Sequence, residues 1–433
     1  MKELPEQKDF NHQAEESSLE AGWVNILANS FPALNNTNYK VYFSGQLVSL
    51  IGTWLQIVSQ SWLVLHLTTS PFTIGLVAAL GTFPTLIFSL FGGVLVDRFI
   101  KRKILIYTQF AAMLLAFILG LITVLNIVQL WHIGLLSFLL GVVNAVDSPA
   151  RQSFVPEIVT KEQLPSAIAL NSGAFNAARV IGPSIAGLLI AVVGTGGAFL
   201  LNAASYIPVI IALFHLKTPV IFREESVSPL LAIKEGLKYS YNHPIIRVLL
   251  LFTGISSVFG WSYTTILPLM AKNEYHLSAS GLGYLYAASG LGSVLATIII
   301  ATFSKRISPV VFILGGNALF GVAIILFTLA NSLQLALPLL FLAGYGLLSQ
   351  FAMMNTIIQS LVKSHFRGRV MSIYILMFMG LTPLGNFQIG WLSEHFSTRL
   401  AIRVGAYIVL LFGAVLWIYR RKITLEFRKY NRV

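Results

Sequence analysis

The stretch GGVLVDRFIKRK, residues 92–103, places five charges in its last seven positions. Only 10 % of the whole chain is charged. An apolar run leads into the stretch and another leads out. This reads as a tight polar turn joining two membrane-crossing helices. Gly92 and Gly93 admit a close neighbouring helix, and the charges stay at the water-facing end.

The rest of the chain agrees. It has 433 residues, 56 % of them hydrophobic, and a mean hydropathy of +0.78. A helical crossing takes about 20 apolar residues. Apolar segments fall near 40–66, 71–96, 103–127, 130–150, 164–193, 197–216, 245–270, 280–303, 309–330, 334–360, 368–392 and 400–419. The expected fold is an all-α polytopic membrane protein with twelve transmembrane helices. With no cysteine there is no disulfide framework and no thiolate metal site.

The net charge of +13 is distributed rather than diffuse. With the N-terminus inside, 25 of the 29 Lys and Arg residues fall in cytoplasmic segments. Only Lys272, Arg399 and Arg403 fall outside, and Arg179 alone lies within a span. The asymmetry puts both termini in the cytoplasm and explains the basic character through lipid contact and topology, without nucleic acid.

The chain divides as a polar cytoplasmic tail at 1–37 with a possible interfacial helix at 22–34, a six-helix bundle at 38–216, a cytoplasmic linker at 217–244 containing an amphipathic helix, a second six-helix bundle at 245–420 and a basic cytoplasmic tail at 421–433. A faint repeat at an offset of 208 pairs Ser70 with Ser278, Gly75 with Gly283 and Ala79 with Ala287. Two pseudo-symmetric bundles are the plan of many secondary transporters.

On these residues the chain resembles the major facilitator superfamily. Gly93, Leu95, Asp97, Arg98, Lys101 and Arg102 fit its loop 2–3 motif, with Ile100 where a glycine is usual. Asp147, Pro149 and Arg151 resemble an Asp-x-Pro-x-Arg signature of the exporter branch called transmembrane secretion effectors, a branch that includes enterobactin exporters and is related to macrolide-efflux permeases. Ala169, Ala178, Gly182, Pro183, Ala186 and Gly187 fit an antiporter motif of span five, with alanine for three glycines. FRGRVMS, beginning at Phe366, and the following Pro383, Gly385 and Gly390 are similar to the same branch. The resemblance implies alternating access and a cytoplasmic latch drawn from Asp97, Arg98, Lys101, Arg102, Asp147, Arg151, Arg367 and Arg369.

Polar groups inside the spans nominate a substrate path. Ser49, Thr53, Gln56 and Gln60 form a stripe on one helical face that lipid would force inward. Arg179 is a single deep charge and a candidate seat for an anionic group. Asn176, Trp261, Tyr263, Asn355 and Gln359 complete the expected cavity, which suits a large amphipathic molecule. Asp147 is the candidate proton carrier. There is no metal-ligand cluster, nucleophile–base pattern or phosphate loop, so an enzyme is not expected. The expected function is proton-coupled export of an amphipathic drug or siderophore by a monomer in the plasma membrane, a bacterial inner membrane by its kin, with the proton gradient and no cofactor as energy source. The alternatives are a lipid or lysolipid translocator and an uptake symporter.

Overall fold

A computed structural model describes residues 31–216, 229–304 and 306–430. The side chains of 89–94, 97, 229–233, 364 and 428–430 lie outside that description, as do most of the 1–37 tail with its expected helix and the first part of the linker. Among the described residues, eleven helices are long and apolar enough to cross a membrane.

We number the helices α1 (Thr37–Leu67), α2 (Pro71–Arg98), α3 (Lys101–Val124), α4 (Leu130–Ile158), α5 (Leu164–His215), α6 (Pro229–Asn242), α7 (Pro244–Glu274), α8 (Ala279–Phe303), α9 (Pro309–Phe327), α10 (Leu333–Leu361), α11 (Arg367–His395) and α12 (Thr398–Tyr430). Only α6 is short and amphipathic. Starts follow capping chemistry: Ser70 accepts from the Thr73 amide with Pro71 next in line, and Asn36 accepts from the Tyr39 amide, which satisfies amides that a helix start leaves open.

The turn quoted at the outset is a two-residue connection. Phe99 (φ −116°, ψ 161°) and Ile100 (φ −64°, ψ 111°) are both extended. Neither needs a left-handed backbone, so isoleucine fits where the related motif carries glycine. α12 also runs straight through the basic stretch at 420–422 to Tyr430, so the expected tail begins as helix.

α5 spans 52 residues and is not one crossing. Gly194 breaks it with φ 70°, a conformation glycine adopts without penalty. The first arm runs parallel to α1: Tyr39 donates to the Ala167 carbonyl, and Gly182 abuts Trp54. The second arm runs back: Gly52 abuts Ser205, and Gly45 abuts Pro208. The expected separate segments at 164–193 and 197–216 are therefore the two antiparallel arms of a single helical hairpin.

α1–α5 and α7–α12 form two packed bundles. They meet through α2 against α11, α5 against α8, and more lightly α1 against α7. Here the faint repeat acquires a physical meaning. A Cβ on Gly75 would sit 2.8 Å from Gly390 Cα, and one on Gly283 would sit 2.6 Å from the Pro183 carbonyl oxygen. Equivalent glycines of the two halves thus make equivalent close approaches across the bundle boundary.

Candidate functional site

Between the bundles lies a cavity of about 390 Å³. α1 contributes Trp54, Gln56, Gln60 and Ser61; α2 Thr82; α4 Ser137 and Asn144; α5 Arg179. From the other bundle come Trp261, Thr264 and Thr265 of α7, Tyr286 and Ser289 of α8, and Thr382 and Asn386 of α11. The wall is mostly apolar, with hydroxyls and amides set into it and, among the described residues, Arg179 as its one charge.

Arg179 joins the bundles. Its guanidinium carbon lies 4.6 Å from the Trp261 ring centroid, a cation–π contact. No acidic side chain pairs with it among the described residues. Asp147, the candidate proton carrier, is not in contact with it. Around it, Thr265 donates to Asn386 at 2.7 Å, the Asn386 amide reaches Thr82 across the bundles at 3.4 Å, and Tyr286 donates to the Thr264 carbonyl at 3.0 Å. Gln56 accepts from Asn202 at 2.6 Å, which anchors α1 on the second arm of α5 while leaving Gln60 to the cavity.

Several expected cavity residues lie off its wall. Tyr263 is buried in the second bundle, its hydroxyl 3.0 Å from Ser289 Oγ. Asn355 and Gln359 bond each other at 2.5 Å. Thr53 donates back to the Ser49 carbonyl, and Asn176 to the Ser172 carbonyl. Each has met its own polar demand locally. Thr264, Thr265, Tyr286, Ser289, Thr382 and Asn386 were not foreseen; they join the wall only through packing of helices distant in sequence.

Asp147 is buried and fully engaged. One oxygen accepts from Thr108 and from Gln109, each at 2.7 Å. The other accepts both Nε, at 3.0 Å, and Nη2 of Arg151. This set ties α4 to α3 and leaves no lone pair facing the cavity.

The cavity is closed at the end away from the chain termini. There Glu394 of α11 accepts from Ser70 Oγ at 2.8 Å and from the Phe72 amide at 3.1 Å. Lys272 of α7 donates to the Leu65 carbonyl at 2.9 Å. An anion thus meets the positive start of α2 and a cation the negative end of α1. At the opposite end, among the described residues, no side-chain hydrogen bond or ion pair links the bundles. The latch candidates are paired within their own halves: Lys101 with Glu157, Arg102 with the Leu213 and Phe214 carbonyls, Arg151 with Asp147, and Arg369 with Glu235 of α6. Arg98 and Arg367 are exposed, and the Asp97 side chain lies outside the described residues. In the helix-five motif, Gly182 seats Trp54, Gly187 meets the Ala279 carbonyl, Pro183 faces Gly283, and Ala178 is buried.

The profile of a family described as transmembrane secretion effector matches residues 28–428. The chain is 25 % identical to the staphyloferrin A transporter of Staphylococcus aureus over 395 residues, covering 90 % of this chain and 98 % of that one. It is 25 % identical to the multidrug efflux pump Tap of Mycolicibacterium fortuitum over 381 residues, covering 84 % and 91 %. In fold it is similar to a bacterial homologue of the human lysosomal transporter Spinster, solved inward-facing and unoccupied, with a TM-score of 0.68, 14 % identity and coverage of 91 % and 97 %.

Proposed function

This chain belongs to the family of transmembrane secretion effectors within the major facilitator superfamily, a multi-pass membrane transporter rather than an enzyme, and we propose that it exports an anionic amphipathic small molecule by alternating access. The observation that carries this reading is Arg179, a cation without an acidic partner among the described residues, held against Trp261 where both bundles meet the cavity. An anion supplies the missing counter-charge, and the apolar wall takes the remainder of the molecule. Relatives named for staphyloferrin A and multidrug efflux support a siderophore-like or drug-like cargo.

The same reading places twelve crossings in a bacterial inner membrane, with both termini cytoplasmic and the open end facing the cytoplasm. A monomer suffices, and the proton gradient drives export without a cofactor. In the alternate state the basic groups of the Arg98–Arg102 and Arg367–Arg369 regions close the cytoplasmic end around Asp97 and its neighbours.

The test is transport in proteoliposomes of a matched pair of amphiphiles, one anionic and one neutral, with an internal pH dye. Replacing Arg179 by Gln removes an ionic contact of about 1.5–3 kcal/mol, so kcat/KM for the anionic compound should fall about 10- to 150-fold while the neutral compound is little affected. Equal loss for both compounds, or for neither, removes Arg179 from substrate recognition. Substrate-dependent proton flux tests the coupling separately.

A further inference from the structure

A second recess lies far from the central cavity. It is a groove of about 610 Å³ between the start of α9 and the end of α12, at the same end of the protein as the chain termini. Val310, Val311, Leu314, Trp417 and Leu425 line it, with Arg420 and Arg421 between the last two along α12. α9 and α12 pack on the second bundle only, so the groove opens outward. In a membrane-spanning chain this outward face meets lipid.

Charge selects which lipid. Arg420 folds its guanidinium over the Trp417 ring, 4.1 Å from its centroid, and donates to the Trp417 carbonyl at 3.0 Å. That arrangement holds the cation beside the apolar trough. Arg421 is exposed and makes no ion pair or hydrogen bond among the described residues. The nearest acidic residue along α12, Glu426, faces His243 at 3.7 Å. Ser308, the residue before α9, has its Oγ buried within the protein and makes no cap. The groove therefore joins two arginines to an apolar channel. A Cβ on Gly315, in its floor, would meet nothing within 4 Å.

We infer that this groove binds one anionic phospholipid of the leaflet at the termini end, with its phosphate held by Arg420 and Arg421 and an acyl chain lying over Gly315 between α9 and α12. The site is independent of the cargo and of the direction of transport. Phosphatidylglycerol supplies the phosphate and the chain together, whereas a zwitterionic lipid of equal chain length adds a compensating cation at the headgroup.

The experiment uses the full chain in detergent, titrated with phosphatidylglycerol or phosphatidylcholine of matched chains, with bound lipid counted by native mass spectrometry. Wild type should retain one phosphatidylglycerol at concentrations where phosphatidylcholine is lost. Interfacial arginines contribute about a fivefold affinity factor each, so the variant Arg420→Gln/Arg421→Gln should bind about 30-fold more weakly. Gly315→Leu keeps both arginines and fills the trough, and it should also displace the lipid. Equal retention of the two lipids by wild type overturns the proposal. So does phosphatidylglycerol binding that survives in both variants, which would seat the lipid elsewhere. Loss in the arginine variant with full retention in Gly315→Leu overturns the chain placement.

Discussion

Replacing Gly75 by Val should drive the bundles apart at the closed end. A Cβ there would lie 2.5 Å from the Asn386 carbonyl oxygen and 2.8 Å from Gly390 Cα. Carbon contacts settle near 3.5–4.0 Å, so α2 and α11 must separate by about 1 Å. Both obstacles are backbone, so no rotamer change relieves them. Overpacking of this kind costs about 1–3 kcal/mol, and it falls only on the state in which these helices touch. The population open at that end should rise about 5- to 150-fold. The chain has no cysteine, so Ser61→Cys in the cavity wall is a clean reporter. An impermeant maleimide added from the outer face should label it faster by that factor in the Gly75→Val background. Gly173→Val is the control, because a Cβ at Gly173 meets nothing within 4 Å. Unchanged labelling in Gly75→Val, at normal thermal midpoint, refutes the assignment of this contact to the gate.

Other consequences concern the same framework. Glu394→Gln and Lys272→Gln each remove one charge from a helix end, worth about 0.3–1 kcal/mol; each should speed outer-face labelling about 2- to 5-fold, and the two effects should multiply. Asp147→Asn leaves Arg151 without its carboxylate. Because Arg151 is 27 % exposed, water screens part of the loss, and a drop of about 1–3 kcal/mol in unfolding free energy is expected; Arg151→Met in the same chain should restore part of the thermal midpoint. Gly194→Ala forces a side chain into φ 70°, ψ 176°, a region open essentially to glycine alone, and should cost about 1–3 kcal/mol, read as a lowered midpoint, whereas Gly173→Ala should not lower it.

The fold was legible because lipid is an unforgiving solvent. Runs of apolar residues announce crossings, and Lys and Arg announce the loops. Within the spans, Gln56, Gln60, Arg179 and Trp261 were found because polar or bulky groups on an apolar helix demand a partner, and the cavity supplies one. Tyr263 misled for a structural reason. α7 contains a π-helical turn at Ser256–Trp261. A wider turn shifts the helical phase, and two positions beyond Trp261 the side chain enters the core. Asn355 and Gln359 misled differently, because a pair spaced i, i+4 satisfies itself. Thr265 and Asn386, which share a hydrogen bond across 121 positions of sequence, left no local signal. The Gly75 and Gly283 match was visible as repetition, but only the packed bundles give it a role.

The charge of the cavity decides what its occupant must do. An unneutralised arginine at mid-membrane costs at least about 2.5–3.5 kcal/mol, and the ring of Trp261 returns about 0.5–2 kcal/mol of this. About 0.5–3 kcal/mol then weighs against sealing an empty cavity around Arg179. A bound anion removes that cost, so cargo and closure are coupled through a single side chain. On the proposed cycle, the empty carrier reorients about 2- to 150-fold more slowly than the loaded one. Arg179→Gln should erase the difference: the Ser61→Cys reporter should be labelled at one rate with and without the anionic amphiphile. An anion-dependent change in labelling that persists in Arg179→Gln would place the coupling elsewhere. The proton meets a different constraint. Among the described residues no carboxylate lines the cavity, and Asp147 is occupied by four donors. Of these partners only Thr108 and Gln109 lie on α3, whereas Arg151 lies on α4 itself, so the α4 anchor rests on one carboxylate oxygen and the ion pair on the other.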